Sequence, residues 1–153
     1  MTIFILPHKR QGYLKYFYET VFGNPVKFAK GSSQNRLLRQ LLNKPPVNYV
    51  QDKTPDNAII IELPRYSDLN VDYNYYLTQR AKDVLYKDLY SLFYTALYRN
   101  IRELENSGSQ IKDALYMFME KTGIPEDHYD CLIKKCYRNR KKKQKLSQVP
   151  IFF

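Results

Sequence analysis

Hydrophobic residues recur along this chain with two different periods, and the changes between them divide it into elements. Thr2-Ile3-Phe4-Ile5-Leu6 and Ala58-Ile59-Ile60-Ile61-Glu62-Leu63 are short runs rich in β-branched and aromatic residues, closed by Pro7 and Pro64. Such runs predict strands, here the two strands of one small sheet. Between them, Tyr13, Leu14, Phe17 and Val21 fall at helical spacing within residues 11–22 and stop at Gly23-Asn24-Pro25, where glycine can take the left-handed position that closes a helix. A second helix, capped by Ser32 or Ser33, places Leu37, Leu38, Leu41 and Leu42 on one face before Lys44-Pro45-Pro46. Residues 45–57 read as a polar, proline-containing loop.

After Pro64 the chain passes through Asp68, Asn70, Asp72 and Asn74, residues that favour turns and caps. A long helix follows over about residues 78–104. Leu85, Leu89, Phe93, Leu97 and Ile101 recur every fourth position, with Leu92, Ala96 and Leu104 widening the stripe. At about 1.5 Å per residue it would approach 40 Å, longer than a small domain requires, and is predicted to act as a spine. A tyrosine ladder, Tyr86, Tyr90, Tyr94 and Tyr98, runs beside the aliphatic stripe. It reads first as a half-buried flank, with a base-stacking platform or a dimer seam as the sharper alternatives.

Ser107-Gly108-Ser109 ends the spine and opens a helix over residues 110–121, with Ile111, Leu115, Phe118 and Met119 inward. Thr122-Gly123-Ile124-Pro125 is a turn. Glu126 and Asp127 suit the start of a further helix whose apolar face is Leu132, Ile133, Cys136 and Tyr137. Helix, glycine turn and basic helix in this order predict a helix-turn-helix arrangement. With Gly123 as the turn glycine, Phe118, Ile124, Tyr129 and Leu132 occupy the interhelix core positions. Met119 stands where that pattern wants a small residue, and Pro125 just after the turn is unusual.

The predicted class is therefore α+β, mostly helical, with a long spine helix, a small two-stranded sheet and a C-terminal helix-turn-helix-like hairpin. Its organisation reads as an N-terminal α/β segment (1–64), a helical region carrying the hairpin (65–140) and a basic, then apolar, tail (141–153). The first two form one compact domain, a size that 153 residues suit.

Charge sharpens the functional reading. Of the net +10, residues 1–45 hold eight bases against Glu19 alone, residues 46–133 hold nine bases against fourteen acids, and residues 134–153 hold eight bases and no acid. Two basic ends around an acidic middle are the electrostatic footprint of a polyanion binder. Lys134, Lys135, Arg138, Arg140, Lys141, Lys142, Lys143 and Lys145 are interleaved with Tyr137, Asn139 and Gln144, side chains suited to phosphates or base edges. If Leu132, Ile133 and Cys136 face inward, Lys134, Arg138 and Lys141 share an exposed strip with Lys135 and Asn139 beside it. These residues, with Arg140, Lys142, Lys143 and Lys145, are the candidate nucleic-acid contacts. Duplex DNA is the favoured partner, with RNA and a homodimer as further options. A protein-interaction module with a basic docking tail is the alternative of another class. The apolar ending Val149-Pro150-Ile151-Phe152-Phe153 suits folding back or docking.

The chain also resembles uncharacterised proteins of prophages and mobile elements of gut anaerobic bacteria. The likeness runs through the Leu-Pro strand ending, Phe22-Gly23-Asn24-Pro25, Leu41-Leu42-Asn43-Lys44-Pro45-Pro46 and Ile61-Glu62-Leu63-Pro64. It continues through Asp113-Ala114-Leu115, Phe118-Met119-Glu120-Lys121 and Gly123-Ile124 to Lys134-Lys135 and Tyr137-Arg138. What it implies is a DNA-binding role in a phage-related context.

Catalysis is not expected. No phosphate loop, His-Glu-x-x-His, nucleophile elbow or dinucleotide fingerprint is present. Asp52 with Asp56 and Asp68 with Asp72 read as acidic turns rather than metal ligands, and His8, His128, Cys131 and Cys136 match no zinc spacing. No cofactor or metal is expected. The two thiols read as reduced. No apolar run is long enough to span a bilayer, and the N-terminus lacks the basic residues of a signal peptide. The expectation is a cytoplasmic protein without membrane contact.

Overall fold

A computed structural model describes residues 1–148, with side chains described through Lys142. The apolar ending 149–153 lies outside the described residues. The elements run β1 (Thr2–Ile5), α1 (Tyr13–Phe22), α2 (Ser33–Leu41), β2 (Ile59–Glu62), α3 (Gln79–Asn106), α4 (Ile111–Thr122), a 3₁₀ turn (Glu126–His128) and α5 (Tyr129–Gln148). The architecture is α+β and mostly helical, as the periodicities predict. It forms two compact units, Met1–Phe93 and Tyr94–Phe153, which divide within α3.

In the first unit β1 and β2 pair antiparallel in the register Thr2 with Glu62, Ile3 with Ile61, Phe4 with Ile60 and Ile5 with Ile59. Side chains alternate across a strand, so this register stacks Ile3 on Ile61 and Ile5 on Ile59. All four are buried, while Phe4 and Ile60 are half-buried. Val26 takes the other edge of β2, its N–H donating to the Ile60 carbonyl (2.7 Å) and its carbonyl accepting from Glu62 (2.9 Å). α2 starts where Ser32 accepts a hydrogen bond from the Asn35 N–H (3.2 Å), which satisfies one of the free donors of a first turn.

The core of this unit is aromatic. Phe93 meets Tyr13 at 5.1 Å and Phe17 at 5.0 Å between ring centroids, within the range that favours tilted and edge-to-face pairs. Phe22 lies against Tyr18 and Phe28. Val21, predicted to face inward, is instead 52% exposed, and Tyr18 is fully buried. Val21 is on the apolar face but in the last turn of α1, where about half of it stays exposed; burial needs a neighbour as well as a face. At the same end Gly23 adopts φ 94°, ψ 175°, a positive-φ conformation that suits glycine without being the predicted left-handed helical one. The predicted face of α2 is only half realised, with Leu38 and Leu42 buried and Leu37 and Leu41 intermediate.

The stripe Leu85, Leu89, Phe93, Leu97 and Ile101 of α3 is buried, while Leu92, Ala96 and Leu104, expected to widen it, are half-buried. Of the tyrosine ladder, Tyr86 and Tyr94 are buried and Tyr90 and Tyr98 half-buried, the flank geometry rather than an open platform of four rings. Tyr86 stacks on His8 at 4.2 Å, accepts from its N–H (3.1 Å) and donates to Gln11.

Tyr18 ties α1 to α3 with a polar contact inside this core: its hydroxyl donates to the Leu89 carbonyl at 2.6 Å. Burial, reinforced by the negative charge of Asp88, pushes its phenol well above the ordinary range. The folded state therefore holds that proton more tightly than the unfolded chain, whose phenols ionise near pH 10. The stabilisation is complete below about pH 10 and is lost as pH rises above it. Tyr18→Phe should cost about 1 kcal/mol at neutral pH through the lost hydrogen bond and should show a shallower alkaline loss than wild type in urea titrations at neutral pH and above pH 10. Parallel pH profiles would contradict this assignment. Phe93→Ala, which empties the centre of the aromatic core, should cost about 3–5 kcal/mol in the same measurement.

Candidate nucleic-acid interface

The predicted hairpin is built in the second unit from α4, its turn and α5. The first turn of α4 carries Asp113 and its last turn Lys121, each favourable to the helix dipole. Gly123 closes it in the left-handed conformation at φ 68°, and the Ile124 N–H reaches back to the Met119 carbonyl at 3.0 Å, a glycine-dependent closure. Thr122 is buried because its hydroxyl donates to the Phe118 carbonyl (2.7 Å). Pro125 caps the 3₁₀ turn in an extended conformation, its carbonyl accepting from the His128 N–H at 3.2 Å, and ahead of a helical turn its missing N–H removes no intrahelical bond.

Between the helices, Ala114, Leu115, Phe118, Met119, Ile124, Leu132, Ile133 and Cys136 are buried. Met119 fills the position expected to be small. Tyr129, predicted in the interhelix core, is only half-buried and stacks on Tyr116 at 4.4 Å with rings within 10° of parallel. Tyr137, predicted on the apolar face, is 37% exposed; one position round from Cys136, it has left the narrow buried sector of α5. Burial pushes the Cys136 thiol up to about 12, with the negative charge of Glu105 adding to the effect, and both cysteines are free.

The candidate bases separate into two sets. Lys134, Arg138, Lys141 and Lys142 are exposed, and no ion pair among the described residues involves them. Lys134, Arg138 and Lys141 form the predicted strip, with Asn139 half-buried at its margin. Lys135 instead lies over the Tyr94 ring, 5.1 Å from its centroid. Arg140 pairs with Glu105 at 3.9 Å. Lys143 and Lys145 are on α5, and their side chains lie outside the described residues. The acids of the turn form the other extreme: Glu126, Asp127 and Asp130 are exposed at the start of α5. From the sequence, Glu126 and Asp127 read simply as helix-start residues.

In the first unit, part of the N-terminal positive charge is neutralised on folding. Lys27 pairs with Glu62 at 3.1 Å, Lys15 with Glu19 at 3.5 Å, and Arg39 grips Asp68 through two nitrogens. That hydrogen-bonded guanidinium holds the Asp68 carboxyl below the usual carboxylate range. The same region borders an open cleft of about 870 Å³ lined by Lys27, Glu62, Tyr66, Asp68 and Asn70 among others. Of its charged side chains, Lys27, Glu62 and Asp68 are engaged in these pairs, while Arg65 and Asp72 are in no ion pair among the described residues. Among the described residues no three His, Cys, Asp or Glu side chains are placed to hold a metal ion, and no helix is long and apolar enough to cross a membrane.

Comparison with protein-family models, with curated proteins and with solved structures finds no match to this chain. The division of the bases therefore rests on geometry. A cation over an aromatic face contributes about 0.5–1 kcal/mol at such a site, so Lys135→Ala should lower stability by that amount in urea denaturation. Lys134→Ala, on the exposed strip, should stay within about 0.5 kcal/mol of wild type. The reverse ranking would show that the two sets have been assigned the wrong way round.

Proposed function

We propose that this chain is a non-enzymatic DNA-binding protein, acting in the cytoplasm as a regulator of a phage or other mobile element. The observation that carries the reading is the strip Lys134, Arg138 and Lys141, joined by Lys142. These bases stand exposed on a helix braced by α4, with no acid among the described residues paired to them. By contrast, Lys27 and Arg39 of the basic N-terminal segment meet Glu62 and Asp68 of the acidic middle. An uncompensated row of cations matches a duplex, which carries one negative charge per about 1.7 Å of axis.

Within the strip the chemistry differs by residue. Arg138 can offer two parallel donors to a guanine edge, whereas a lysine offers a point charge suited to phosphate. Lys135 and Arg140 act as positioning residues, through Tyr94 and Glu105. The rival reading, a protein-interaction module, draws on the exposed Tyr116 and Met117 of α4, 46% and 45% accessible.

A fluorescence-anisotropy titration at low and moderate salt, with duplex DNA and duplex RNA as probes, tests the reading. Wild type should bind duplex DNA with an affinity that falls steeply with salt. Replacing Lys134, Arg138 and Lys141 together by alanine should flatten the logarithmic slope by about 0.9 for each phosphate that is no longer neutralised. Arg138→Ala should in addition change sequence preference, while Lys143→Ala should lower affinity without changing it. Salt-insensitive or absent duplex binding would reject the proposal in favour of the protein-interaction reading.

A further inference from the structure

The usual helix-turn-helix presents the N-terminal residues of its second helix to the base edges, where the positive end of the helix dipole also favours phosphate. In this chain that end is acidic. On α4 the exposed Asp113 and Glu120 are balanced by the exposed Lys112 and Lys121, whereas at the start of α5 Glu126, Asp127 and Asp130 are exposed and residues 122–133 contain no Lys or Arg. A surface of that sign repels a duplex.

The opposite end of α5 has every contrary property. Residues 134–145 hold eight bases and no acid. Among the described side chains, burial on α5 ends at Cys136: Tyr137, Arg138, Arg140, Lys141 and Lys142 are exposed and Asn139 is half-buried. A stretch of helix without an apolar stripe of its own leaves most of its circumference accessible. Residues 137–148 span about 18 Å at 1.5 Å per residue, and a helix about 10–12 Å across with its side chains fits the roughly 12 Å width of the B-form major groove. Lying in that groove, the segment brings bases to both phosphate walls while Arg138 reaches the floor.

Resting on the DNA-binding reading, we infer that the chain docks in the reverse sense. The C-terminal half of α5, residues 137–148, enters the major groove of a B-form duplex, and the acidic turn at 126–130 is held outside it. The A-form major groove is too deep and narrow for a helix, so this docking selects duplex DNA over duplex RNA.

The test is photo-cross-linking of the full chain to duplex DNA with p-benzoylphenylalanine placed singly at positions 127, 130, 137 or 142, each variant first assayed for salt-sensitive anisotropy. The expected result is cross-linked product from positions 137 and 142 and its loss at 127 and 130, with duplex RNA a poor competitor. Should the bulky group at 137 and 142 abolish binding while 127 and 130 retain it, the same docking is supported. Cross-linking from 127 or 130 overturns it, as does intact binding with no cross-link from any position, or equal competition by duplex RNA; in these cases DNA binding itself survives. Absence of salt-sensitive duplex binding by the wild-type chain overturns the underlying reading and this inference with it.

Discussion

Each of the two units is built on its own part of the buried stripe of α3. Its side chains recur every fourth position from Leu85 to Ile101, and all five are at most 4% exposed. A helix with such a face is stable only when other elements cover it. In the first unit Tyr13 and Phe17 cover Phe93 with their rings, and Tyr18 adds a hydrogen bond to the backbone of the same helix. The second unit contains the remaining stripe residues, Leu97 and Ile101, together with a helix whose Lys135 rests on Tyr94, a member of the flanking tyrosine ladder. Aromatic side chains let one helix do this because they offer large apolar faces and, as tyrosine, a polar tip that must find a partner or water.

The elements are legible in the sequence wherever one periodicity persists. Five apolar residues at a four-residue spacing leave little freedom over α3, and two β-branched runs closed by proline define the strands. Val21 and Tyr137 depart from expectation for a common reason: a helical projection reports a face, but burial depends on which neighbour arrives, and these two side chains stay 52% and 37% exposed. Met119 illustrates the converse, since a flexible thioether fills a crossing where the motif wants a small side chain.

Of the proposed interface, the strip itself can be read from spacing alone, because Lys134, Arg138 and Lys141 lie opposite an unambiguous apolar face. The split between bases cannot. Lys135 meets Tyr94 and Arg140 meets Glu105 across more than thirty positions of sequence, and composition treats every lysine and arginine alike. Folding also revises the charge map, because Lys27 and Arg39 find acids from the middle of the chain. Clustering along the sequence therefore overstates the positive surface at the N-terminal end, while Lys134, Arg138, Lys141 and Lys142 stay exposed at the other.

The small sheet has one further consequence. β2 is paired on both sides, by β1 and by the Val26 bridge, whereas β1, among the described residues, is paired on one side only. An open edge is a template on which a second chain can add a strand and begin to aggregate. Here β1 is four residues long and Pro7, which lacks an N–H, follows within two residues. An incoming strand would gain few ladder bonds before the register broke, so the edge that completes the sheet also limits its growth into fibres.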